Sequence, residues 1–184
     1  MMQTAPLKNI FFAESSTVKK ILLLLTGVVT LAIASQLTLP MQPVPLTFQS
    51  ATVIFIGMAY GARNGSYVIA AYLFAGLCGL PVFAGLSFGP APLTGPTAGY
   101  LIGFLPAAFI SGYLAERGFG RQIITSFIAS LIGAAIIFMC GLPILAAFTG
   151  WDNAITFGLM PFIISEPIKL AALSLVIPRL WKNN

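Results

Sequence analysis

The sequence predicts an all-α integral membrane protein. Six transmembrane helices form one bundle, the chain 1–184 is a single membrane domain, and both termini are cytoplasmic. Three observations carry this. Hydrophobic residues make up 58% of the chain and charged residues only 7%, with a mean hydropathy of +0.98. A soluble domain carries several times that share of charge. The apolar residues gather into six segments, and the basic residues fall on one side of the loops that join them.

The first segment, about 18–38, starts at Lys19-Lys20 and runs through "ILLLLTGVVTLAIAS" towards Pro40. A basic start, an apolar run and Ala32-Ile33-Ala34 also resemble a signal peptide. Because 20 residues precede the run and it continues through "QLTLP", an uncleaved helix is expected. The second and third segments, about 47–61 and 65–80, are shorter than the roughly 20 residues a spanning helix needs. They meet at "GARNG" (61–65), where Gly61 can end one helix and Asn64 can cap the next. Unpaired backbone in lipid is costly, so loops packed on protein should complete their far ends. The fourth and fifth segments span about 97–115 and 121–147. The sixth, about 161–181, opens at Pro161, a residue suited to a first helical turn. Trp151 and Trp181 flank it as expected interface anchors.

With alternating loops, one side receives Lys8, Lys19, Lys20, Arg63, Arg117, Arg121, Arg179 and Lys182. The other side receives Asp152 and no basic residue. This asymmetry places both termini in the cytoplasm and accounts for the net charge of +5 without a polyanion. The basic residues are scattered singly, so a nucleic-acid surface is excluded. The chain has no His, which removes His-ligated metal sites and His-dependent nucleophile pairs, and the phosphate-loop, dinucleotide, HExxH and CxxC patterns are absent. No metal or cofactor is expected, and an enzyme would lack a credible base. Cys78 and Cys140 lie in apolar runs and read as small core residues.

The outer loops are stiff and apolar. Pro40, Pro43 and Pro45 follow the first segment; Pro81, Pro90, Pro92 and Pro96 follow the third. The loop 81–96 carries no charge. Such a loop reads as a cover over something, or as a segment packed on the bundle rim. Within the sixth segment, "FIISEPIKLAAL" holds Glu166 and Lys169. At i, i+3 the two share a helix face and can pair. Each alone is expensive in a membrane, so the pair is either a structural tie or a functional site. Pro167 frees the carbonyl of Ile163, and a start near Pro161 puts Glu166 in the outer third of the helix. In the first segment Thr26, Thr30 and Ala34 form a small-residue ridge that packs inside the bundle or docks a partner protein.

"QPVPLTFQ" (42–49), "GLPVFAG" (79–85), "GPTAGYLIGF" (95–104) and "PFIISEPIK" (161–169) together resemble the BioY family, the biotin-capturing membrane subunits of energy-coupling-factor transporters. The resemblance covers about 20 to 180. It implies a six-helix bundle with an outward-facing biotin pocket under outer-side loops, and a membrane coupling protein and ATPase subunits as partners. It also implies substrate-binding roles for Thr47, Gln49, Tyr100, Glu166 and Lys169. Thr26, Thr30 and Ala34 are a loose version of the family's Ala-x-x-x-Ala ridge. Two departures stand out. The sequence reads Ser165-Glu166-Pro167 where the family has Gly-Asp, and "AGLSFGP" (84–90) lacks an Arg found there in some members. Biotin's ureido head offers two N–H donors and a carbonyl, which a buried carboxylate and an ammonium or amide can match. Its apolar ring needs walls, for which Phe48, Phe83 and Tyr100 are candidates. The implied function is biotin uptake across the cytoplasmic membrane without chemistry on the ligand. The competing class is a self-contained secondary carrier for biotin or another small vitamin, which would need a coupling-ion site and usually repeats.

Overall fold

The computed structural model describes residues 17–39 and 41–182, without the side chains of Lys19 and Lys182. The expectations for Lys8 and Pro40, and for the Lys19 and Lys182 side chains, lie outside the described residues. The chain is mostly helical. Helix α1 is Thr17–Gln36; α2 is Gln49–Tyr60; α3 is Ala62–Leu77. A short α4, Ala91–Thr94, precedes α5, Ala98–Glu116. Then follow α6, Ile123–Thr149, α7, Trp151–Gly158, and α8, Met160–Lys182. Among the described residues, Ala98–Glu116, Ile123–Thr149 and the kinked run Trp151–Trp181 are long and apolar enough to cross a membrane.

The remaining apolar helices show why loops matter here. Helix α2 has 12 residues, roughly 18 Å of rise, well short of a hydrocarbon core. Its N-terminal end is extended by a two-stranded antiparallel hairpin, β1 (Thr38–Leu39) and β2 (Leu46–Thr47), with Thr38 opposite Thr47. This satisfies backbone groups that lipid could not. The hairpin was not legible as strands, because each is two residues long. At its C-terminal end, Gly61 at φ 84° ends α2 and lets α3 begin at the next residue. Asn64 therefore lies inside α3 rather than capping it, and its side-chain amide donates to the Tyr60 carbonyl at 3.4 Å.

The centre of the bundle is α5, packed along α6 and crossed by α2 and α3. The crossing of α2 and α5 is close because Gly57 faces the Ala108 carbonyl and Gly112 faces Gly57; a Cβ at either would collide with backbone. Two further expectations need correction. Trp181 is only 3% exposed, with its ring against Gly120, so it is a packing residue rather than an interface anchor. Cys78 is exposed, because it caps the end of α3 beneath the loop that follows. The loop expected at 150–158 is helix α7, which buries Ala154 and Gly158 and exposes Trp151 and Asp152.

Candidate functional site

A cavity of about 260 Å³ lies between the two proline-rich loops and the helix ends, near the small end of pockets that hold drug-sized ligands. Its roof comes from both proline-rich loops: Pro43, Val44 and Pro45 from one, Phe83, Ala84, Ser87 and Pro92 from the other. Aromatic and aliphatic walls come from Tyr100, Phe104, Phe138 and Phe162. Its polar groups are few: Thr47, Gln49, Ser50, Ser87, Thr97, Tyr100 and Glu166, with no basic side chain in the lining.

The polar floor is built where the start of α2 meets α8. Glu166 is 4% exposed and ion-paired to Lys169, as the i, i+3 spacing allows. The Ser50 hydroxyl lies 2.9 and 3.0 Å from the two carboxylate oxygens and donates to them. Lys169 also donates to the Thr47 carbonyl at 2.7 Å and to the Ser50 hydroxyl at 3.1 Å. An ammonium has three N–H donors, and these three partners use all of them. Lys169 therefore does not line the cavity; it sits behind Glu166 and fastens the carboxylate to the first proline-rich loop. The Glu166 carboxylate retains acceptor capacity on the cavity side, since two oxygens offer about four lone-pair sites.

A second network fixes the roof. The Gln49 amide donates to the Tyr72 hydroxyl at 2.6 Å, and Tyr72 donates to the Val82 carbonyl at 2.8 Å. Ser35 donates to the same carbonyl at 2.7 Å. Gln36 clamps the next turn: its amide donates to the Phe83 carbonyl at 2.9 Å and its oxygen accepts from the Leu86 N–H at 3.0 Å. The turn needs holding, because Gly85 and Leu86 both adopt positive φ, which costs a leucine energy. Phe83 then points down, edge-on to Tyr72 at 5.5 Å between ring centres, into a notch left by Gly76. Tyr100 is held similarly. Its ring packs over Gly141 and meets Phe138 edge-on at 5.9 Å, and its hydroxyl donates to the Gly158 carbonyl at 3.1 Å.

Of the residues singled out from sequence, Thr47, Gln49, Phe83, Tyr100 and Glu166 meet in this cavity. Phe48 does not. It occupies the N-cap position of α2 and is 52% exposed, because the chain turns there and alternate side chains face opposite ways. Lys169 is adjacent but one layer back, as described. The ridge is split: Ala34 is buried, whereas Thr26 and Thr30 are exposed and their hydroxyls bond carbonyls of their own helix. Ser50, Phe104, Phe138 and Phe162 line the site but were not singled out. For Ser50 the only signal was its place beside Gln49; its partner lies 116 residues away.

The BioY family profile matches residues 3–184, nearly the whole chain. The chain belongs to the BioY family. Relatives agree over long stretches. A probable biotin transporter BioY of Pyrococcus horikoshii is 36% identical over 165 residues, covering 90% of this chain and 98% of the relative. The biotin transporter BioY of Thermotoga maritima is 34% identical over 154 residues, covering 83% and 89%. A solved structure, the S-component for biotin from an ECF-type ABC transporter, superposes with a TM-score of 0.76 at 25% identity, covering 90% of this chain and 92% of that one. As a BioY member with long apolar helices, the chain is a multi-pass membrane protein.

Proposed function

We propose that this chain is the biotin-binding S component of an energy-coupling-factor transporter. It captures biotin in the cavity beneath the two outer loops and relies on a separate membrane coupling protein and ATPase subunits for ATP-driven transport. It sits in the cytoplasmic membrane as a six-span bundle with both termini inside, the orientation that the basic-residue asymmetry favours. It transports its ligand and does no chemistry on it.

The observation that carries the reading is the buried Glu166 carboxylate, the one charged group in the lining, at the floor of a largely apolar, roofed cavity. A ureido N–H donating to it forms a charge-assisted hydrogen bond. Gln49 and Ser50, also in the lining, suit the remaining polar edge of the ring system. Phe83, Phe104, Tyr100 and Phe138 suit the thioether ring and the aliphatic chain. Lys169 acts on the ligand through Glu166, by holding the carboxylate in place. The relatives described as biotin transporters support the choice of ligand. Titration calorimetry of the purified protein with biotin, using riboflavin and thiamine as controls, tests it. Saturable heat with biotin alone is expected; no biotin heat, or equal heat with a control vitamin, overturns the reading.

A further inference from the structure

The other end of the bundle carries a different kind of groove, about 580 Å³, between the start of α6 and the last turns of α8. Along α8, Arg179 lies 13 residues beyond Glu166, roughly 20 Å at helical rise, so the groove is remote from the ligand cavity. It is lined by Arg121, Gln122 and Arg179 together with Ile123, Ile124 and Leu175. No acidic residue is in the lining. Among the described residues neither arginine forms a salt bridge. Two guanidinium groups thus share one groove with no ion-pair partner among the described residues.

The rest of the lining is what an aqueous anion would not need. Ile123, Ile124 and Leu175 are 51%, 74% and 52% exposed, on the outer surface of helices that face lipid. Helix α6 adds to the attraction. It begins here with no acidic residue in its first turn and no side-chain cap on its N-terminal amides, so its positive end opens beside Arg121. A basic pocket between helices, at the membrane surface, with an apolar flank running into the bilayer is the chemistry that recognises an anionic lipid.

We propose that this groove binds an anionic phospholipid, with Arg121 and Arg179 on the phosphate and the acyl chains along Ile123, Ile124 and Leu175. The test titrates the full-length, detergent-solubilised protein with phosphatidylglycerol and with phosphatidylcholine, counting retained lipid by native mass spectrometry. Wild-type protein should bind phosphatidylglycerol at least about tenfold more tightly, the size of one charge-assisted contact. The double variant Arg121→Gln, Arg179→Gln should lose that preference, while Arg63→Gln, a basic residue at the α2–α3 turn, should keep it. Both arginines are exposed, so their replacement leaves the core untouched. Equal retention of the two lipids by wild type overturns the proposal without any variant. So does an unchanged preference in the double variant, or glycerol phosphate competing as well as the lipid.

Discussion

Replacing Glu166 by Gln keeps the shape of the side chain and removes its charge. In the wild type the carboxylate accepts from Ser50 and from Lys169, and its cavity side is available to a ligand N–H. The amide keeps one oxygen as acceptor but turns a charge-assisted bond into a neutral one. A charged bond contributes about 1.5–3 kcal/mol and a neutral one about 0.5–1.5, so about 1–1.5 kcal/mol is lost, which corresponds to about a 5- to 13-fold weaker biotin affinity. Lys169→Met should weaken binding by a different route. It removes the tie to the Thr47 carbonyl and leaves Glu166 held by Ser50 alone. Orphaning one member of a buried pair costs about 3–5 kcal/mol, so Lys169→Met should also lower the unfolding temperature. The double variant Glu166→Gln, Lys169→Met separates the two roles. Calorimetry should show weak binding in all three variants, whereas thermal unfolding should show the double variant recovering part of the stability lost in Lys169→Met. Wild-type affinity in both single variants would refute the reasoning and return the pair to a purely structural tie between α8 and the first outer loop.

Three other outcomes are expected. A cysteine placed at Ser87, in the roof, should react more slowly with a thiol reagent when biotin is saturating; unchanged labelling would mean that the loop does not close over ligand. Gln36→Ala removes two hydrogen bonds that hold the turn at Phe83 and Leu86, so the same Ser87 probe should become more reactive without ligand, by about five- to tenfold if roughly 1 kcal/mol is lost per bond and part is recovered by water. In whole cells, a cysteine at Asp152 should react with an impermeant reagent from outside and one at Arg117 should not; the reverse pattern would invert the proposed topology.

Much of the site was readable because its residues break local rules. A carboxylate and an ammonium three residues apart inside an apolar run, and prolines crowded into two loops of one side, are anomalies that composition alone exposes. What could not be read were relations between distant segments. Nothing local marks Ser50 as the partner of Glu166, or Tyr72 as the link between Gln49 and the roof. Phe48 and Gln49 are neighbours of opposite fate, and only the turn into α2 decides which faces the cavity. Helix α7 was hidden for another reason: eight residues with five exposed polar or aromatic positions read as an ordinary connecting loop until α6 supplies the surface it lies on. Asn64 looked like a cap because Gly61 was assumed to consume several residues in turning, whereas its positive φ turns the chain in one.

The Glu166–Lys169 pair also decides at which step the electrical cost of moving cargo is met. Its two charges cancel, and the cavity lining supplies no other cation. On the proposed reading, biotin enters with the negative charge of its own side-chain carboxylate, so the loaded cavity bears a net charge of about minus one. Carrying that charge inward runs against an inside-negative membrane potential, at about 2.3 kcal/mol for each 100 mV crossed. A neutral binding floor therefore puts the whole of that load on the loaded reorientation and leaves the empty return without one, a burden that a derivative lacking the carboxylate would not impose.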